Sequence, residues 1–301
     1  MDRLQQAFYE KDFVIAFLRS KGDEFQTLFE RLMGLAYKTD FMACRPWGNQ
    51  GDRKNDGFLK SERRLFQVYA PNEMEAAKAI TKITEDFNGA KVHWTKHFDT
   101  WVFVHNATDG LPPHVQKLIL DFERANPGII LEPWGLEKLV VIFRKLSLED
   151  LQSWFGFVPT NETKTDLGYS DLQIVLETIA NRSAVAQTEV RVVPKGKIEA
   201  NALSESVATL LKVGMEKAPL VGTFFERWND ETLGERIAVA FRSKYQSLRG
   251  NISPDEIFGE LESWAGGSRR GAPKQQLAVL AVLAYYFDSC DIYEEPKGSS
   301  S

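Results

Sequence analysis

A polar turn at residues 51–57, followed ten residues later by an amide inside an apolar run, constrains the fold of this chain most. Asp56 stands at the head of one short predicted strand, and Gln67 lies inside the next, residues 65–69. A buried Gln amide without a partner costs roughly 1–3 kcal/mol, so Gln67 is expected to have one. Asp52, Asp56 and the Gln67 oxygen would then converge on one sheet edge, where a hard cation such as Mg²⁺ prefers to bind. A surface hairpin with an Asp-Gly turn explains the same residues without a metal.

Short motifs occur around this turn in a fixed order. In chain order they are Phe29-Glu30, Gly51-Asp52, Asp56-Gly57 and Gln67. This order resembles the Mrr-type restriction endonuclease domain, a branch of the PD-(D/E)xK nuclease superfamily. That family shows Phe-Glu on its first helix, then Gly-Asp-x-x-x-Asp-Gly, then Gln-x-Lys on the next strand. Residues 23–33 resemble the first helix, and the whole resemblance covers residues 24–145.

The resemblance implies a restriction-endonuclease-like α/β domain in which a mixed sheet is flanked by helices. Its remaining predicted elements are helices at 72–87 and 113–125 and strands at 101–105 and 128–131. The resemblance also implies cleavage of DNA phosphodiesters with Mg²⁺ or Mn²⁺ as the cofactor. Asp56, with Asp52, would bind the metal, Gln67 would add an oxygen ligand or orient water, and Glu30 would assist from the first helix.

Tyr69 occupies the position at which the family carries its lysine. A lysine there would hold the attacking water and stabilise charge on the phosphate, which a neutral phenol cannot do as a cation. Members of the superfamily can carry this lysine on a neighbouring helix, and Lys78 and Lys82 lie four residues apart on one predicted helical face. Lys82 is the preferred substitute, and an ordinary solvated lysine is the alternative. A Lys82 ammonium within reach of Asp56 would favour an enzyme, and one facing solvent would favour a non-catalytic adaptor.

The charge of the chain argues against a protein that coats nucleic acid non-specifically, because the formal net charge is -5. Basic residues nevertheless gather around the proposed site. They are Arg45, Arg53, Lys54, Lys60, Arg63 and Arg64. A DNA backbone would contact these residues if the fold is nuclease-like. A solvated hairpin rim that protects a sheet edge accounts for the same charges.

Further patterns indicate a cytoplasmic protein with no membrane partner. No apolar run approaches the roughly 18 residues of a membrane span, and the charged N-terminus does not match a signal peptide. Cys44 and Cys290 are too far apart in sequence to indicate a zinc site or a disulfide framework. His93 and His97 have the spacing of two metal ligands on a helix, but Trp94 between them favours packing.

The second half of the chain differs in composition from the first. Residues 157–168 hold few apolar anchors, so they are predicted to form a linker. Beyond them, apolar residues recur at spacings of three and four, which predicts helices. These helices are 169–181, 201–217, 230–248, 253–265 and 273–287, with one candidate strand at 188–193. Ser253-Pro254 followed by two acids is typical of a helix start.

Residues 281–296, with Phe258 and Trp264 upstream, form a short aromatic signature. This signature resembles the C-terminal domain of effectors in bacterial ABC-three-component conflict systems. Those systems pair the effector with an ABC-type ATPase and a small middle component, and the effector's N-terminal half is often nuclease-like. The resemblance implies that the second half binds these partners in an antiphage defence complex, whereas a plain helical packing motif is the alternative.

The sequence therefore predicts an α/β domain followed by a mostly α-helical one. The predicted divisions are a nuclease-like domain with its N-terminal helix at 1–156, the linker at 157–168, a helical interaction domain at 169–296 and a tail at 297–301. The leading function is a metal-dependent DNA endonuclease, and a homo-oligomer is one state that the sequence leaves open. The competing function is an inactive nuclease-fold adaptor that binds nucleic acid or protein, which Tyr69 favours.

Overall fold

The computed structural model describes residues 1–44, 53–181, 197–266, 272–289 and 292–294. The chain divides into two compact units. One unit is Ala16–Asp150, and the other combines Met1–Ile15 with Leu151–Ser301. None of the described helices is long and apolar enough to span a membrane.

The first unit is built on a mixed sheet that has five strands within the described residues. The strands are β1 Phe41–Ala43, β2 Gly57–Leu59, β3 Arg64–Tyr69, β4 Thr100–His105 and β5 Ile130–Trp134. They lie in chain order, with β1, β2 and β3 antiparallel and β3, β4 and β5 parallel. The expected mixed sheet with flanking helices is therefore confirmed.

Helices cover both faces of this sheet. They are α2 Gly22–Tyr37, α3 Ala76–Trp94, α4 Pro113–Ala125 and α5 Leu136–Phe143. Leu65 of β3 belongs to one apolar cluster with Ile83 and Phe87 of α3. The next residue on the strand, Phe66, instead packs against Phe29 of α2, with ring centroids 5.3 Å apart. Because successive strand residues point to opposite faces, α2 and α3 lie on opposite sides of the sheet.

The predicted elements of this unit occur with shifted ends. The helix expected at 113–125 is α4, whereas the helix expected at 72–87 begins at Ala76 and continues to Trp94. Gly89 lies inside this longer helix, where glycine usually weakens a helix, and the stem of Lys54 lies directly against it. The strand expected at 128–131 occurs as β5, which ends at Trp134.

The second unit is helical throughout its described residues. Its helices are α1 Arg3–Arg19, which continues into the first unit, α6 Leu148–Phe155, α7 Asn161–Thr165, α8 Tyr169–Ala180, α9 Lys197–Ala200, α10 Glu205–Arg227, α11 Leu233–Leu248, α12 Pro254–Trp264 and α13 Pro273–Asp288. Eleven of the sixteen residues of α13 are buried, including the continuous run 276–284, so this helix forms the centre of the unit. The expected start of α12 is confirmed by a capping box, in which the Ser253 hydroxyl accepts from the Glu256 N–H.

The N-terminal helix packs on the helical unit. Lys11 is buried, donates to Glu262 of α12 and lies over the rings of Phe8 and Phe258. The compact units thus group residues 1–15 with the helical part, whereas the sequence-based division assigned them to 1–156. The predicted linker contains the short helix α7. The functional boundaries stay a prediction, and the candidate strand at 188–193 and the tail at 297–301 lie outside the described residues.

Candidate functional site

Asp56 and Gln67 lie side by side where β2 begins. The Asp56 N–H donates to the carbonyl of Phe66 at 2.9 Å, which fixes Asp56 against β3. The Gln67 Nε2 donates to Asp56 Oδ2 at 2.6 Å, and the Val68 N–H donates to the same oxygen at 2.7 Å. Both side chains are buried, with only 4% of Asp56 and 2% of Gln67 exposed. Asp56 is therefore the partner that the sequence led us to expect for the Gln67 amide.

The other end of the Gln67 amide is not satisfied by the described part of the chain. Its Oε1 atom is buried and receives no hydrogen bond from any described residue. Leaving such an oxygen unpaired costs about 1–3 kcal/mol, so its retention beside a carboxylate needs an explanation. A hard cation fits this donor set, because Mg²⁺ and Mn²⁺ prefer carboxylate and amide oxygens.

The further ligands expected for that cation are not brought together within the described residues. Asp52 lies outside them, and no described group of three or more His, Cys, Asp or Glu side chains is arranged to hold a metal. Glu30 follows Phe29, whose ring packs on Phe66 of β3, and its Oε1 accepts from Gln26 Nε2 at 2.9 Å. Glu30 is thus on the helix that covers the opposite face of the sheet from α3.

Tyr69 has a packing role at the position of the family's lysine. Its ring centroid lies 5.9 Å from that of Phe103, at the border of the apolar cluster beneath α3 and α4. Gln67 and Tyr69 are two residues apart on β3, so they point to the same face of the sheet. Tyr69 supplies no cation to that face.

The Lys82 ammonium is paired with an acidic residue of its own helix. It lies 2.8 Å from Oδ2 of Asp86, a completely buried carboxylate one turn along α3. The Lys54 ammonium lies 2.8 Å from Oδ1 of the same carboxylate. Lys78, the other candidate on this helix, pairs with exposed Glu75 instead. Asp86 thus pairs with both Lys82 and Lys54, which is a basic residue of the polar turn.

The predicted basic cluster falls into two groups at opposite ends of β2. Arg53 and Lys54 precede β2, and the Arg53 carbonyl accepts from the Trp94 indole at 3.0 Å. The others, Lys60, Arg63 and Arg64, follow β2, and Arg45 lies outside the described residues.

The two arginines of the second group have acidic partners. Arg63 makes two hydrogen bonds with Asp99, at 2.6 and 3.1 Å, and they lower the pKa of that carboxyl. Arg64 lies 3.1 Å from Glu62 and 3.6 Å from Glu132. Lys60 is exposed at the turn. The charge available to DNA is therefore smaller than the count of basic residues suggests.

Sequence reasoning missed two buried titratable residues, Asp86 and His105. A signal for Asp86 was present, because it falls on the buried face of its helix together with Ala79, Ile83 and Ala90. His105 ends β4, and its Nδ1 accepts from the Ala107 N–H at 3.3 Å. Burial lowers the pKa of His105 to about 4. Its ring lines a cavity of about 280 Å³ beside α4.

In the helical unit, residues 292–294 are tied to the core by buried polar groups. The Lys197 ammonium donates to the carbonyls of Phe287 and Ile292, both at 2.7 Å. Asn201 donates to the Glu294 carbonyl and accepts from its N–H, each at 2.8 Å. A cation at the carboxyl end of α13 is favourable because the last carbonyls of a helix carry partial negative charge. These hydrogen bonds hold residues 292–294 against the helices of the unit.

Residues 170–294 match the model of C-terminal domain 10 of the ABC-three component (ABC-3C) systems. This match confirms the resemblance that the C-terminal half showed. No curated protein and no solved structure matches the chain. The resemblance of residues 24–145 to the Mrr-type domain stays a prediction.

Proposed function

We propose that this chain, which its C-terminal domain makes a component of an ABC-three component system, is that system's metal-dependent DNA endonuclease. In this proposal Ala16–Asp150 is a restriction-endonuclease-like domain and the helical unit joins the chain to its partners. Membership of such a system implies partner components. We assign these as an ABC-type ATPase and a small middle component, with DNA as the substrate.

The observation that carries the proposal is the pairing of buried Asp56 with Gln67, whose second amide oxygen is unsatisfied by the described residues. A purely structural pair would more simply be an apolar contact, because burying these groups costs free energy. A divalent cation bound to the Gln67 oxygen and the Asp56 carboxylate would satisfy both. The order of the motif residues along the chain supports the same assignment.

Each residue has a defined task in the proposed reaction. Bound Mg²⁺ or Mn²⁺ supplies Lewis-acid chemistry and makes bound water more acidic. Asp56 would bind the cation, Gln67 would add an oxygen ligand or orient the attacking water, and Glu30 would assist from α2. Lys82 stabilises the negative charge that develops on the phosphate, the task for which Tyr69 is unsuited.

The second candidate is a nuclease-fold adaptor without catalysis. Two observations favour it: the packing of Tyr69 on Phe103, and the pairing of Lys82 with Asp86 instead of Asp56. Such an adaptor would bind DNA or protein and would have no need of a divalent cation. Metal binding therefore separates the two candidates.

Calorimetric titration of Mg²⁺ and Mn²⁺ into the full chain tests the proposal. Asp56→Asn keeps the size of the side chain and an oxygen that accepts hydrogen bonds, but it removes the charge that the cation needs. We expect wild type to bind Mn²⁺ and Asp56→Asn to lose this binding. Asp121→Asn is the matched control, since Asp121 is an exposed carboxylate of α4 paired with Lys117. Equal binding by wild type and Asp56→Asn would overturn the metal site.

A further inference from the structure

Asp86 connects two lysines that come from different parts of the chain. Its carboxylate is fully buried on the face of α3 that carries Ile83 and Phe87. Lys54 lies 2.8 Å from one carboxylate oxygen and Lys82 lies 2.8 Å from the other. Neither oxygen receives a hydrogen bond of good geometry from the described residues, so the compensation is one of charge.

Gly89 leaves space on the surface of α3 for the Lys54 side chain. A Cβ added at Gly89 would lie 2.6 Å from Lys54 Cγ, which is closer than real Cβ contacts come. The absence of a side chain at this position lets the Lys54 stem cross α3 and bring its ammonium to Asp86. The position of Lys54 is therefore built into the helix, and is not that of a lysine extended into solvent.

The solvent side of this group consists of lysine side chains and not of the carboxylate. Two ammonium groups share one carboxylate, and the lysine side chains are 38% and 32% exposed, whereas Asp86 is completely covered. An anion that approaches from solvent therefore meets the two ammonium groups and not the carboxylate. Partial exposure lets both lysines contact a ligand while they keep contact with Asp86.

This lysine pair is on the same side of the sheet as the proposed metal site. Lys54 precedes Asp56 by two residues, and Asp56 is hydrogen-bonded to Gln67 on the face of the sheet that α3 covers. Ile83, one residue after Lys82, packs in the same cluster as Leu65 of β3. The pair and the site thus belong to the same side of the sheet.

We propose that Lys54 and Lys82, both paired with Asp86, form a clamp for one phosphate group of a DNA backbone. The inference rests on the proposed nuclease function, in which the clamp replaces the single lysine lost at Tyr69. Lys54 and Lys82 contact the phosphate, and Asp86 is a positioning residue that does not touch it. Each ammonium group can make a charge-assisted hydrogen bond to one oxygen of the phosphate.

The salt dependence of DNA binding by the full chain tests the clamp. Each phosphate contact contributes about -0.9 to the slope of log K against log salt concentration. Because the two lysines contact one phosphate, we expect Lys54→Ala combined with Lys82→Ala to make the slope less steep by about 0.9, and each single substitution to make it less steep by part of that amount. Lys78→Ala is the matched control on the same helix, because Lys78 pairs with Glu75, and its slope should equal that of wild type. Wild-type slopes in both clamp variants would overturn the inference.

Asp86→Asn separates positioning from charge. The substitution makes the region more positive, so a clamp that worked by charge alone would bind DNA more tightly and with an unchanged or steeper slope. The proposal expects a less steep slope, because the two ammonium groups lose their common anchor. Gly89→Ala, which displaces the Lys54 stem without changing charge, should have the same effect as Lys54→Ala. A steeper slope in Asp86→Asn contradicts the positioning role, and if that variant fails to fold, Gly89→Ala decides.

The same binding measurements distinguish failure of the clamp from failure of the nuclease proposal. Wild type that never cleaves, but whose slope falls in both lysine variants, supports the clamp and refutes the enzyme. Wild type that cleaves, with lysine variants that bind and cleave equally well, supports the enzyme and refutes the clamp. A wild-type chain that does not bind double-stranded DNA at low salt also refutes the clamp.

Discussion

The crossing of α10 and α13 allows a sharp prediction about the helical domain. Gly214 of α10 faces α13, where an added Cβ would lie 2.6 Å from the Leu280 carbonyl oxygen and 2.7 Å from Ala284 Cβ. Backbone atoms of a buried helix cannot rotate away as a flexible side chain can. Gly214→Ala must therefore push the two helices apart. Gly222, eight residues along α10, provides a matched control, because among the described residues an added Cβ there would meet only Tyr285 Cε2, at 3.7 Å.

The two substitutions should have effects of opposite sign. Alanine favours a helix over glycine by about 0.5–1 kcal/mol, and Gly222→Ala should gain most of this in stability. Overpacking a close contact costs typically about 1–3 kcal/mol, and the backbone contact at Gly214 places it near the upper end. After subtraction of the helix gain, Gly214→Ala should lower the free energy of unfolding by about 2 kcal/mol.

Urea unfolding followed by far-ultraviolet circular dichroism measures both changes, and calorimetry assigns them to the helical unit. A change of 1 kcal/mol moves Tm by about 2–4 °C for a domain of 150–250 residues, so a loss of about 2 kcal/mol is readily detected. Gly214→Ala should unfold earlier than wild type and Gly222→Ala later. If Gly214→Ala is as stable as Gly222→Ala, the close approach of α10 and α13 is wrong.

Three further predictions concern buried polar groups. The pKa of His105 is about 4 in the folded chain and about 6.5 in the unfolded chain, so the free energy of unfolding should fall as the pH drops from 6.5 to 4, by about 3 kcal/mol at most. Urea unfolding of His105→Gln should lack this part of the pH dependence. An unchanged dependence would contradict the assignment. Glu262→Ala removes one counter-charge of the buried Lys11 ammonium and should lower the free energy of unfolding by about 3 kcal/mol. The double substitution Lys11→Met with Glu262→Leu should recover most of this stability. Equal losses in the single and double variants would refute a shared burial penalty. Lys197→Met removes a buried donor to the Phe287 and Ile292 carbonyls and should cost about 1–3 kcal/mol in the same assay, and wild-type stability would show that these hydrogen bonds are dispensable.

Local signals in the sequence predicted individual elements well. The helix α4 was expected at its observed limits from the resemblance of residues 24–145 to the Mrr-type domain, and Pro113 at its first position is a local signal that agrees with this start. The start of α12 was expected from Ser253, Pro254 and the acid at position 256, all of which act within one turn. Such signals need no knowledge of distant residues, so a single sequence suffices for them.

Contacts between distant residues could not be predicted in this way. Lys11 and Glu262 are 251 residues apart, and nothing local to either residue indicates that α1 packs on the helical unit. The anchoring of Lys82 by Asp86 escaped notice because a charged residue on a helix is ordinarily assigned to solvent. The neighbouring positions of Asp56 and Gln67 were predicted, because a hairpin register follows from the turn between two strands. Their role in metal binding stays a prediction.

Cleavage by the assembled complex tests the central claim most directly. Supercoiled plasmid DNA is incubated with Mn²⁺ and this chain, alone and with its co-expressed partner components, in wild-type and Asp56→Asn forms. We expect nicked and linear products with wild type, and a rate lower by on the order of 10²-fold or more with Asp56→Asn. Intact plasmid under every metal and partner condition with wild type, or equal cleavage by both forms, would contradict it.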